Sequence, residues 1–264
     1  MQVILLLIIS ILPIILIGYY LYKKDKNKEP KGLLFLLFFG GILSCVYVIF
    51  ISVFLNFIPV FQMDFNKLNF IEKIINIFIG ISLVEELSKW LILYLISYNH
   101  KEFDELYDMI IYATFVSLGF ACFENILYVL EGGFTVGILR AVLAVPGHVW
   151  DAVFMGEYLG IAKICRLNGR KDLEKKNILL SIIIPFVLHG IYDFCLELEN
   201  YLAITIFFVF VVIMYIISIK KIKKIALVDS KILKKIHYCS NCGNEVNGNY
   251  CSNCGNKILK NSNN

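Results

Sequence analysis

Seven apolar runs, each long enough to cross a bilayer, follow one another along this 264-residue chain. They occupy residues 2–22, 32–61, 70–98, 109–130, 136–164, 177–196 and 201–219. A helix needs about 20 apolar residues to span the hydrocarbon layer. Charged residues make up 17% of the chain and its mean hydropathy is +0.74; ordinary soluble domains carry about 25% charged residues. A soluble core of this length cannot hide so much apolar surface. That excludes a soluble globular enzyme, a disordered chain and a disulfide-stapled secreted module. The pattern predicts an all-α polytopic membrane protein, a bundle of about seven transmembrane helices.

The connections alternate in charge. Lys23, Lys24, Lys26, Lys28 and Lys31 crowd the first, and the second carries only Lys67. Lys101 lies in the third; the fourth and sixth have no basic residue. Arg166, Arg170, Lys171, Lys175 and Lys176 fill the fifth, and Lys220, Lys221, Lys223 and Lys224 follow the last run. Because basic loops stay on the cytoplasmic side, the odd connections and the C-terminus are expected on the cytoplasmic side of the cell membrane and the N-terminus outside. The first run lacks a basic n-region and its lysines follow it, so it reads as a retained helix rather than a signal peptide. Residues 1–219 then form the membrane domain, 220–237 a basic cytoplasmic linker, 238–258 a small separate module and 259–264 a disordered tail.

That module contains Cys239, Cys242, Cys251 and Cys254 as two Cys-x2-Cys pairs, each followed by glycine (Gly243 and Gly255). Glycine permits the turn that brings two thiolates onto one tetrahedral metal. Disulfides are disfavoured in a reducing cytoplasm, so the spacing points to a structural zinc ribbon with no open coordination position. The ribbon is expected to dock a cytoplasmic protein rather than nucleic acid, since juxtamembrane lysines more often meet anionic lipid. Cys45, Cys122, Cys165 and Cys195 are scattered, as small apolar residues would be.

Inside the apolar runs sit Glu85, Glu86, Lys89, Glu124, His148, Asp151, His189 and Asp193. An Asp, Glu or Lys at mid-membrane costs about 2.5–3.5 kcal/mol, so the six here would cost roughly 18 kcal/mol unpaired. That exceeds the whole stability of a typical fold, about 5–15 kcal/mol. They must face one another or water. Helical spacing allows it: Glu85 and Lys89 lie four apart, Glu86 and Lys89 three, His189 and Asp193 four. Glu157 points away from His148 on its helix, near the cytoplasmic end, and is left out. Arg140 reads as a residue snorkelling to the outer interface.

Three of these groups form recognisable motifs: Glu85-Glu86-Leu87-Ser88-Lys89, Phe120-Ala121-Cys122-Phe123-Glu124 and His189-Gly190-Ile191-Tyr192-Asp193, with Pro146-Gly147-His148 between the second and third. In that order, with Lys28-Glu29-Pro30 and Glu124-Asn125, the chain resembles the PrsW family of bacterial intramembrane proteases, related to the CAAX prenyl-protease and bacteriocin-immunity superfamily. The resemblance covers about residues 1–219, with the ribbon appended. It implies site-1-type cleavage of a single-pass membrane protein, such as an anti-sigma factor, without a nucleotide cofactor. The expected site is Glu85, Glu86, Lys89, Glu124, His148, His189 and Asp193, with Asp151 ranking below His148.

Peptide hydrolysis needs a base for water, a donor for the leaving amine and donors for the oxyanion. Either Glu85 or Glu86 would be the base, and Glu124 would share the water. Lys89 would balance charge, and His189, oriented by Asp193, would donate to the oxyanion or leaving group. In the prenyl-protease branch a histidine matches Glu124, so the proton inventory here differs. No metal is expected in catalysis. The same donors would also suit a metal-dependent protease, although no His-Glu-x-x-His pair occurs. A proton-coupled transporter would use buried carboxylates too, but no repeat relates the two halves. A non-catalytic scaffold presenting the ribbon would not need all three motifs. Counting from the outer span ends, Glu124, His189, His148 and Glu86 lie roughly 10–25 Å deep, so a cavity in the outer half of the membrane is expected.

Overall fold

The computed structural model describes residues 2–198 and 200–227, with positions 237, 238, 245, 246, 250 and 253–255. Helix dominates each of the seven apolar runs. Helix α1 is Gln2–Lys24, with Pro13 accommodated inside it, and α2 is Lys31–Leu55. A short α3 (Pro59–Gln62) and a 3-10 turn lead to α4 (Phe70–Ile74). Asn69 caps α4 by accepting from the Ile71 and Glu72 backbone N–H groups while the Glu72 carboxylate accepts from Asn69 N, a reciprocal capping box. The same rod continues as a π-helix, Ile75–Leu83, and as α5, Val84–Ser97. Then come α6 (Leu106–Val142), α7 (Ala144–Leu167), α8 (Lys171–Glu197) and α9 (Tyr201–Leu227).

Burial sorts these helices into a centre and a shell. The first half of α6 is almost entirely enclosed: Met109, Ile110, Ile111, Tyr112, Ala113 and Ala121 are each 0% exposed. A helix apolar on every face belongs in the middle of a bundle, and α1, α2, α5, α7 and α9 all pack on it. Helices α1, α2 and α9 instead turn residues such as Ile4, Phe35, Phe39 and Val209 outward. So much exposed apolar surface suits a lipid solvent, not water.

The closest approach in the core is between α2 and α6. A Cβ built on Gly41 would lie 1.9 Å from the Val116 carbonyl oxygen, and one on Gly119 would lie 1.9 Å from that of Phe38. Small residues at such crossings let backbones touch, which is how helices gain packing energy in membranes.

The spacing of the apolar runs predicts a loop at 131–135 between two spans. The structure differs: helical pairing runs almost through it, broken at Gly133 (φ 77°, ψ −164°), a left-handed conformation that glycine alone adopts freely. The chain reverses there, so residues 134–142 return as a short helix, and the next break falls at Leu143. In a straight helix Arg140 would stand about 24 Å from Glu124; instead its guanidinium touches Glu124.

Near the C-terminus, His237–Tyr238 pairs antiparallel with Glu245–Val246. Cys239, Cys242 and Cys251 lie outside the described residues. At the fourth position Cys254 is exposed, and Gly255 after it adopts φ 69°.

The α2–α6 contact generates a paired test. Gly41→Ala should destabilise the protein by about 1–3 kcal/mol, as overpacking does, and lower its melting temperature in detergent. Gly32→Ala, with nothing within 4 Å of the new methyl, should be neutral or slightly stabilising. Equal melting of the two variants would contradict the close packing.

Candidate functional site

Four helices bring the expected polar residues to one place. The π-helix widens the backbone immediately before Glu85 and Glu86, and single π turns recur at functional sites. Ser82 Oγ, at its end, donates to Phe186 O of α8 (2.5 Å), which ties the rod to the helix carrying His189.

Lys89 is the hub. It is 0% exposed, and its ammonium donates to Glu86 Oε1 (2.7 Å), lies 3.5 Å from Glu85 Oε2 and 3.2 Å from His148 Nδ1. It also sits 4.0 Å above the Phe120 ring, a cation–π contact strengthened by desolvation. An ammonium can only donate, so His148 Nδ1 accepts. The proton of that ring is then on Nε2, which donates to Glu124 Oε2 at 2.9 Å.

His189 stands between carboxylates. Its Nδ1 lies 2.8 Å from Glu86 Oε1, and its Nε2 lies 3.2 Å from Asp193 Oδ2 and 3.8 Å from Glu85 Oε2. Both ring nitrogens face acceptors, so a proton is shared within the group of His189, Glu86, Asp193 and Glu85. Asp151, buried on α7, also approaches: one ligand atom each of Glu86, Asp151 and His189 fit within 4.8 Å, as do those of Glu85, His148 and His189. The structure thus brings together all seven expected residues, and Asp151 with them. Glu157 pairs with Lys221 of α9 instead.

Beside this cluster is a cavity of about 370 Å³. Glu85, Glu124, His148, Asp151, His189 and Asp193 line it, whereas Glu86 and Lys89 lie behind its wall. The two adjacent glutamates therefore differ. Glu86 is fully buried and its Oε1 is committed to Lys89 and His189; Glu85 lines the cavity, and in both residues Oε2 has no hydrogen-bond partner among the described residues.

Arg140 corrects the sequence reading. Rather than snorkelling, it donates from Nη2 to Glu124 Oε2 (2.8 Å) and from Nε to Asn125 Oδ1 (2.7 Å). Asn125 in turn donates to Ser10 O of α1 (2.8 Å). No spacing rule reveals this contact, because it depends on the reversal at Gly133. Glu29 of the Lys28-Glu29-Pro30 motif is not in the cavity wall. It accepts from the Tyr112 hydroxyl, and burial pushes its carboxyl up to about 7.

Removing one partner of a buried ion pair leaves the other uncompensated, at a cost of about 3–5 kcal/mol. Lys89→Met should lose stability on that scale, and adding Glu86→Gln should recover part of it, because the sites are coupled. Thermal melts of the single and double variants read this directly. Wild-type melting of Lys89→Met would show that the ammonium does not hold the cluster.

Comparison with known proteins agrees with the geometry. Residues 29–219 match the family described as PrsW family intramembrane metalloprotease. The chain is 36% identical over 216 residues to Protease PrsW of Oceanobacillus iheyensis, covering 81% of this chain and 93% of that protein. It is 34% identical over 224 residues to Protease PrsW of Clostridioides difficile (83% and 90%), and 35% identical over 212 residues to that of Bacillus subtilis (80% and 90%). No solved structure matches it. With its buried Glu-His-Lys cluster carried on apolar helices, this multi-pass membrane chain belongs to the PrsW family of intramembrane proteases.

Proposed function

We propose that this protease cuts a membrane-anchored substrate with a water molecule activated by Glu85. The observation that carries the reading is the asymmetry of the two glutamates: Glu85 lines the cavity, whereas Glu86 holds the Lys89 ammonium and His189 behind its wall. In this scheme Glu85 takes a proton from the water as its oxygen adds to the scissile carbonyl. His189, adjacent to Glu85 and held by Glu86 and Asp193, gives a proton to the leaving amine as the C–N bond breaks. The products are a carboxylate and an amine. Glu124, held by His148 and Arg140 and also lining the cavity, orients the water. Lys89 keeps Glu86 ionised without touching substrate.

A metal-dependent reading rests on a specific observation. Glu85 Oε2, Glu86 Oε2 and Asp151 Oδ1 are all buried without hydrogen-bond partners among the described residues, and such orphans in a native site ask for an ion or water. Glu85, His148 and His189 offer the carboxylate and imidazole donors that zinc or iron prefers, so the residues fit the metal in the family's description. When bound, the ion would supply Lewis-acid polarisation of the scissile carbonyl. Against this reading, the Lys89 ammonium already stands 3.2 Å from His148 and 3.5 Å from Glu85, where it would repel a second cation.

The cavity wall includes Tyr128, Leu196 and Glu197, near the span ends beside the fourth and sixth connections, and Leu143 and Ala144, where α7 begins. The charge pattern assigns these ends to the outside. That supports cleavage near the outward juxtamembrane segment of a single-pass protein, an anti-sigma factor being the class suggested by resemblance. Zinc held by Cys239, Cys242, Cys251 and Cys254 would make the C-terminal module a cytoplasmic docking piece, remote from the scissile bond.

Two measurements test the chemistry. In liposomes containing a single-pass substrate, Glu85→Gln should lower turnover by about 10²–10⁴-fold, the usual contribution of a general base. Wild-type turnover by this variant would end the glutamate mechanism. Metal bound per full-length chain should be the same in wild type and in His148→Ala, because only the ribbon holds an ion. Loss of about one ion from His148→Ala would establish the metal-dependent alternative.

A further inference from the structure

The site needs a donor for the negative charge that develops on the carbonyl oxygen, and the histidines are poorly placed to be it. Both nitrogens of His148 are engaged, Nδ1 with Lys89 and Nε2 with Glu124. Both nitrogens of His189 face carboxylates. Lys89 is outside the cavity wall. Tyr128 and Tyr192 line the wall, but they are neutral. Arg140 is the permanent cation lining the cavity among the described residues.

Its guanidinium is fixed from three sides. Asn125 accepts from Nε at 2.7 Å, Glu124 accepts from Nη2 at 2.8 Å, and the Tyr128 ring lies 4.2 Å below the plane's central carbon. Asn125 is itself anchored to the α1 backbone. Two of the five N–H groups of the guanidinium meet protein acceptors among the described residues, and the side chain is 15% exposed. A rigid, charged donor with spare N–H groups facing a cavity is the arrangement that stabilises an oxyanion without reorganising during reaction.

We propose that Arg140 is a catalytic residue whose remaining guanidinium N–H groups bind the scissile carbonyl oxygen and stabilise the oxyanion formed when water adds. The inference rests on the reading that hydrolysis occurs in this cavity. No bond to Arg140 forms, and the guanidinium keeps its protons throughout. Its pairing with Glu124 also keeps that carboxylate from repelling the developing charge. The return segment 134–142 thus has a chemical purpose: the reversal at Gly133 carries an arginine from the next apolar run back over Glu124.

The test uses the full chain in liposomes with a single-pass substrate, measuring kcat and KM for Arg140→Lys, Arg140→Gln and Glu85→Gln. A peptide phosphonamidate, which mimics the tetrahedral intermediate, and the matching uncleaved amide peptide serve as binding probes. Loss of one oxyanion donor typically lowers kcat about 10²–10³-fold, and that loss is expected for Arg140→Gln with KM changed less than about threefold. The phosphonamidate should lose affinity by a comparable factor and the amide peptide should not, because the contact strengthens only in the transition state. Arg140→Lys retains the charge and so the fold; it should still lose kcat, since an ammonium lacks the planar fork. Unchanged kcat in Arg140→Lys and Arg140→Gln, or equal weakening of both probes, would overturn the proposal. If Glu85→Gln is inactive while the Arg140 variants are not, only this inference fails. If all three cleave normally, the hydrolytic reading of the cavity fails with it.

Discussion

A charge inside a bilayer persists only where another group neutralises it, and the buried ammonium of Lys89 imposes that condition on four helices. Glu85 and Glu86 answer it from its own helix, and His148 from α7; the Phe120 face of α6 closes over it. His189 then binds Glu86 from α8. Each partner is held because releasing it would strand a charge in a medium of low dielectric constant. The cluster therefore fixes the relative positions of α5, α6, α7 and α8 more tightly than apolar packing would, since lipid tails compete on equal terms for apolar side chains.

The same electrostatics leaves the site poised. Glu85, Glu86, Glu124, Asp151 and Asp193 are five carboxyl groups gathered around two permanent cations, Lys89 and Arg140. The surplus negative charge must be met by protons on the imidazoles or carboxyls, or by a bound cation. Protons distributed among closely spaced groups are what acid–base hydrolysis uses. A purely structural ion cluster would balance its charges, and would not set Glu85 and Asp151 into a cavity wall.

Much of this was legible in the sequence, for identifiable reasons. Apolar runs long enough to cross a bilayer leave the backbone little choice but helix, so helix dominates all seven, although Leu143 breaks the fifth run. Intramembrane charges at i, i+3 and i, i+4 spacing had to share faces, so Glu85, Glu86 and Lys89 could be grouped, as could His189 and Asp193. Spacing could not separate Glu85 from Glu86, because adjacent residues differ by only about 100° around a helix; the direction of each depends on how the π-helix before them sets the register. Nor could it find Arg140. Its partner Glu124 is sixteen residues away, and only the positive φ of Gly133 turns the chain back far enough for them to meet.

If the peptide bond is cut in the cavity beside Glu85, a substrate can be trapped there. A photo-crosslinking benzoylphenylalanine in place of Tyr128, which lines the cavity, would be introduced into a chain made inactive by Glu85→Gln. Irradiation should join it to substrate residues within a few positions of the bond that the active enzyme cleaves. Crosslinks confined to distant parts of the substrate would contradict the account and place the reaction elsewhere on the protein.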